Sequence, residues 1–162
     1  MGTSQADREK LIEQYTRGPA RLKEALAKVP KQALQWRPAE GKWSAHEVVV
    51  HCADSETNAS LRIRYLLAEK EPVILGYDQD AWARALDYHA QPLEDALAAT
   101  TAARGRTVPL LKSMSEADWT KAGRHTESGP YTALDWLRVY AAHLEGHASQ
   151  IERNLAAWNV RG

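Results

Sequence analysis

Ala142-His143-Leu144-Glu145-Gly146-His147 lies inside a long stretch, Thr132 to Trp158, whose apolar residues recur at helical spacing. Leu134, Leu137, Ala141, Leu144, Ile151, Leu155 and Trp158 trace one stripe of that helix. Thr132 and the acidic Asp135 three residues later supply its N-terminal cap. Beside the apolar stripe runs a second one, Trp136, Tyr140, His143, His147 and Asn154. Two histidines four apart on a helix share a face one turn from each other, so both imidazoles can reach one metal ion. A pair does not complete a site, and the rest of the chain must offer a third donor.

Working outward, Ser44-Ala45-His46-Glu47 is a capping box that opens a helix from about Ala45 to Ala68, rich in Val48, Val49, Val50, Leu61, Ile63, Leu66 and Leu67. His51 sits among those valines, where a charged imidazolium is costly, with Asp54, Ser55 and Asn58 on its side of the helix. It is the third candidate donor. Residues 5–29 form a further predicted helix, carried by Leu11, Tyr15, Leu22, Leu26 and Val29, which Gly18-Pro19 is expected to kink or divide. Residues 30–43 connect it to the next helix, with Trp36 and Trp43 as pins. Residues 73–80 read as a loop, with a short helical turn from Asp80. Residues 92–113 give another helix, in which Pro109 implies a kink or an early end. No segment shows a period of two, and there is no internal repeat. The fold class is all-α: an antiparallel four-helix bundle in a single domain, 1–162, with a connection between the second and third helices long enough to cross the bundle.

Composition limits the function. The 162 residues hold 44% hydrophobic and 26% charged side chains, and 21 basic residues balance 21 acidic ones. Nucleic-acid binders and membrane-surface proteins usually carry a basic excess, so neither class is expected. No apolar run approaches the ~20 residues of a membrane span, and the first ten residues lack a signal-peptide core. A single cysteine, Cys52, excludes an internal disulfide and suits a reducing compartment, so a cytoplasmic location is expected. It lies about 100° around the helix from His51 and reads as buried filler. Asn58-Ala59-Ser60 matches a glycosylation acceptor by chance, given its helical setting.

Six histidines are present. The plain alternative to a metal site is that His51 makes a core hydrogen bond while His143 and His147 face solvent. His46 is expected to be exposed in a first helical turn, and His89 and His125 fall in less regular surroundings. Three neutral imidazoles from two helices would leave open coordination positions, the pattern of a catalytic site rather than a closed structural one. Zinc is the default ion; nickel and iron also accept imidazole.

Several segments, in order, resemble the DinB/YfiT-like superfamily. Trp43-Ser44-Ala45-His46-Glu47-Val48-Val49-Val50-His51-Cys52-Ala53-Asp54 is similar to its W-S-x-x-E-V segment followed by a metal-binding histidine and x-A-D. Arg124-His125-Thr126-Glu127-Ser128-Gly129-Pro130-Tyr131-Thr132 resembles its H-P-E-x-G-x-x-T stretch, with Thr126 in place of proline. Tyr140 to Ile151 resembles its terminal Y-x-x-H-x-x-x-H-x-x-Q-I. Pro19 and the run Tyr77 to Trp82 add to the likeness, which spans most of the chain.

The resemblance implies a four-helix bundle with His51, His143 and His147 holding a divalent metal, commonly nickel or zinc. It also implies a homodimer. The activity implied is that of a metal-dependent hydrolase, or of a transferase or isomerase that uses a low-molecular-weight thiol as cosubstrate, acting on a small molecule. Glu47, Asp54, Glu56 and Tyr140 are the candidates to support the histidines or border the pocket. The competing expectation is a non-catalytic bundle that binds a small ligand or a protein partner, its histidines structural or vestigial. A DNA-associated role, suggested by the superfamily's name alone, runs against the zero net charge.

Overall fold

The structure, a computed structural model, describes residues 3–161. Its five helices are α1 (Gln5–Ala27), α2 (Ala45–Ala68), the short α3 (Gln79–Ala85), α4 (Leu93–Ser113) and α5 (Ala133–Asn159). Most begin on a side-chain cap that satisfies an otherwise unpaired N–H. Ser4 caps α1, Asp78 caps α3, and full capping boxes, Ser44 with Glu47 and Thr132 with Asp135, open α2 and α5. None of the described helices is long and apolar enough to cross a membrane.

The four long helices make a four-helix bundle. Around it the order is α1, α5, α2, α4, so α1 packs chiefly on α5 and α2 chiefly on α4. Contacts fix the directions. Gln14 meets Glu145 and Arg21 meets Glu152, so α1 and α5 run parallel. Glu56 meets Arg104 and Ser60 meets Thr107, so α2 and α4 also run parallel. Ser55 opposite His143 and Ala59 opposite Trp136 set α2 antiparallel to α5. The bundle is therefore up-down-down-up, and the connection 69–92 crosses its length to join two parallel neighbours. A uniformly antiparallel arrangement does not hold.

The sequence showed no strands, but three are present: β1 (Val73–Ile74), β2 (Ala122–His125) and β3 (Gly129–Thr132). β1 pairs parallel with β2, Val73 opposite Arg124, and β2 pairs antiparallel with β3, Gly123 opposite Tyr131. Two to four residues are too short to display a period of two. The hairpin leads straight into α5.

The apolar core falls into two clusters. Leu22, Val48, Val49, Tyr88, Leu144 and Ile151 belong to one, and Tyr15, Ile63, Leu111, Trp119, Trp136 and Leu137 to the other. Between them, at the level of Gly18, Glu56, Arg104 and His143, lies a polar layer. Arg104, 1% exposed, donates from Nε and Nη2 to the Glu56 carboxylate at 2.9 and 2.7 Å. It also donates from Nη2 to the Tyr140 carbonyl at 2.7 Å and from Nη1 to the Tyr15 carbonyl at 2.5 Å. One guanidinium on α4 thus ties α1, α2 and α5 together.

This layer explains why Pro19 does not divide α1, which continues unbroken through it. Proline has no N–H, so the carbonyl four residues earlier loses its helical donor. That carbonyl belongs to Tyr15, and Arg104 supplies the missing bond. Gly18 completes the fit, because a Cβ there would fall on the Arg104 guanidinium and within 3.0 Å of the Leu144 Cβ. Pro109 likewise lies within α4 without ending it. Replacing Gly18 with Ala should therefore displace Arg104 and cost roughly 1–3 kcal/mol in denaturant unfolding. An unchanged midpoint would contradict the close packing described.

Candidate metal centre

α2 and α5 cross so that His51 meets His143 and His147. The ring centroids of His51 lie 5.6 Å from His143 and 4.8 Å from His147, and those of His143 and His147 are 4.6 Å apart. One nitrogen from each can be chosen so that all three lie within 4.8 Å of one another. His51 is buried and its two partners are half-buried, so the cluster opens on one side. Trp43 packs on the His51 ring at 4.7 Å, the pin expected from the connection before α2.

The donor set fits a divalent ion. His143 Nδ1 lies 2.9 Å from Glu56 Oε1. A carboxylate only accepts, so Nδ1 carries the proton and Nε2 keeps its lone pair. His147 Nδ1 donates to Gln150 Oε1 at 2.9 Å, with the same consequence for its Nε2. His51 Nδ1 is buried without any hydrogen-bond partner, an arrangement that needs a reason in a folded core.

Electrostatics favour the same state. Burial, then the neighbouring His147 and His143, push the His51 pKa down to about 3. Burial and His143 push that of His147 down to about 4. Both imidazoles are therefore neutral and able to donate a lone pair at pH 7. Glu56 is fully buried, which by itself would raise its pKa, but the hydrogen bonds from His143 and Arg104 outweigh burial and hold it below the usual carboxylate range.

The other residues singled out from the sequence fall in different places. Glu47 is absorbed by the capping box and by Arg37, whose Nε donates to it at 2.9 Å; its histidine neighbour is His89, not the triad. Asp54 accepts from the Tyr88 hydroxyl at 2.6 Å. Tyr140 stacks edge-on to His143 at 5.6 Å and receives a hydrogen bond from Arg62. His46, expected to be exposed, is 8% exposed, because the segment after α3 covers it and places the Gln91 carbonyl 2.8 Å from its Nε2. Cys52 is buried, and burial pushes its thiol pKa well up, so it is no nucleophile. Arg104 and Gln150 were not anticipated. Gln150 stands one turn after His147, a spacing that could have marked it; an arginine inside α4 carries no such signal.

A cleft of about 700 Å³ lies elsewhere, between α1 and the end of α4, lined by Arg8, Glu13, Lys112, Glu116 and Trp119 among others. Its charges are mixed and its buried arginine is already paired with Glu116. No set of metal donors converges there, so the triad remains the candidate site.

Comparison with known proteins identifies the family. The family profile described as "DinB superfamily" matches residues 14–151. A protein of Oceanobacillus iheyensis named "Putative metal-dependent hydrolase" is 32% identical over 133 residues, 82% of this chain and 77% of that one. The similarly named YfiT of Bacillus subtilis is 28% identical over 149 residues, 91% of this chain and 84% of its own length. The solved structure of YfiT, described as a probable metal-dependent hydrolase with an unusual four-helix bundle topology, superposes with a TM-score of 0.90 over 98% of this chain and 91% of that one, at 26% identity.

The buried imidazoles set a pH dependence. An unfolded histidine titrates near ~6.5, so below that pH the unfolded chain binds protons that folded His51 and His147 refuse. The stability they contribute is present above ~6.5 and is lost as the pH falls toward about 4 and then 3. In an NMR titration of the metal-free protein both rings should remain neutral at pH 5. A midpoint near ~6.5 for His51 would contradict its burial.

Proposed function

The chain belongs to the DinB superfamily, and from that premise we propose that His51, His143 and His147 bind one divalent ion, zinc or nickel with iron as a further fit, in an enzyme acting on a small molecule. The observation that carries this reading is the convergence of three imidazoles, each offering one nitrogen within 4.8 Å of the other two. A bound divalent ion would supply Lewis acidity, lowering the pKa of a coordinated water toward ~7 or holding a thiol as its thiolate.

The protein's own groups do the rest. Glu56 fixes the tautomer and orientation of His143, and its charge raises the basicity of that ring. Gln150 orients His147 through its amide oxygen. Trp43 and the valines of α2 keep water from the closed side of His51. The open side, where His143 and His147 are half-buried, is where a small molecule would enter. With water as nucleophile the reaction is hydrolysis, in keeping with the names of the relatives; with a low-molecular-weight thiol it is S-transfer.

Metal analysis of the purified protein tests this. Wild type should hold about one divalent ion per chain, and both His51→Ala and the double variant His143→Ala/His147→Ala should hold none while still folding. No ion after reconstitution with zinc, nickel or iron would leave a non-catalytic bundle with structural histidines. Chelation should lower the melting temperature of wild type and leave the variants unmoved.

A further inference from the structure

Two half-buried arginines of α2, Arg62 and Arg64, lack a carboxylate partner among the described residues; Arg64 is taken up by Ser60, Thr107 and the Arg106 carbonyl, which leaves Arg62 as the one beside the triad's neighbour Tyr140. Arg8, Arg37 and Arg104 each face a carboxylate: Glu116, Glu47 and Glu56. Arg62 is half-buried and makes no ion pair among the described residues. Its Nη1 donates to the Tyr140 hydroxyl at 2.9 Å and its Nη2 to the Leu75 carbonyl, both neutral acceptors. Two of five N–H donors are thus used, and the positive charge is left without a counter-ion.

Its position gives that charge a use. His51, Ser55 and Arg62 recur on one face of α2, and an arginine side chain on a helix leans back toward the N-terminus, here toward the triad. Tyr140, which receives the Arg62 hydrogen bond, stacks on His143, and the Ser55 hydroxyl stands 3.4 Å from His143 Nε2. Tyr77, packed on Trp82 at 4.3 Å, lies with its ring centroid 5.8 Å from the guanidinium. Both tyrosines are neutral at pH 7 and offer O–H donors. The nearby carboxylate of Asp54 is engaged by Tyr88, and Glu127, beside Gly76, does not pair with Arg62.

We propose that Arg62, with Tyr77 and Tyr140, is the anion-recognition part of this site, and that the small molecule processed there carries a carboxylate which docks on Arg62 while its reactive end reaches the three histidines. This rests on the metal reading above. A planar carboxylate matches the guanidinium fork, and it supplies the counter-ion that the protein withholds. Tyr77 and Tyr140 then add neutral hydrogen-bond donors without adding charge. Arg62 determines which molecules bind; the chemistry stays at the triad.

The test uses cobalt-substituted protein and the thiolate-to-cobalt absorption band as a binding signal. The probes are mercaptoacetate and its longer ω-mercaptocarboxylate homologues, each beside its methyl ester. At the chain length that spans the site, the acid should bind about 10- to 100-fold more tightly than the ester. Arg62→Gln should erase that preference while leaving cobalt content and ester affinity unchanged, and Arg62→Lys should restore part of it. Acids and esters binding alike, or a preference that survives Arg62→Gln, would overturn the proposal and leave Arg62 as a tie between α2 and the segment after β1. A protein that takes up no cobalt would remove the metal reading, and this proposal with it.

Discussion

Glu56 is a carboxylate with no exposure to solvent, placed midway along a helix bundle. Burying such a charge alone costs several kcal/mol, so the structure around it is obliged to answer. Arg104 answers from α4 with two hydrogen bonds, and His143 from α5 with a third. The remaining donors of Arg104 reach the carbonyls of Tyr15 and Tyr140, so the same pair fixes the level at which all four long helices meet. Gly18 leaves room for the guanidinium, and Pro19 frees the carbonyl that it binds. The proposed metal site inherits this precision. His143 is held by a carboxylate that is itself immobilised, which keeps its Nε2 presented beside His51 and His147 without help from solvent.

The division of the core follows from the same layer. Apolar clusters lie on either side of it, with His51 and His147 set against one and Arg62 and Tyr140 against the other. The functional reading and the account of stability use the same residues, because the charge that must be satisfied in the core also orients a proposed metal ligand.

Much of this was legible in the sequence, for definite reasons. The limits of α2 follow from Ser44 and Glu47, and those of α5 from Thr132 and Asp135, since a capping box is a local signal. The meeting of His51 with His143 and His147 follows from helical spacing plus the burial of valines around His51. Spacing could not choose between Glu47 and Glu56 as the partner of the histidines, because both flank His51 at similar distances along the chain. The structure decides for Glu56, since Glu47 is occupied by the cap and by Arg37. Arg104 looked like any helical arginine, and only the tertiary arrangement shows why Pro19 is tolerated. The up-down-down-up topology and the short strands were also out of reach. Both depend on contacts between segments far apart in the chain, and neither leaves a periodic trace in it.

Three imidazoles from α2 and α5 face one another at a spacing that suits a single ion. Anomalous diffraction at the zinc edge from zinc-loaded crystals tests this most directly. A single strong peak per chain is expected among His51, His143 and His147, with nitrogen at about 2.0–2.1 Å and Glu56 still on His143 Nδ1. A peak elsewhere, or imidazoles that stay in place with no peak between them, would contradict this.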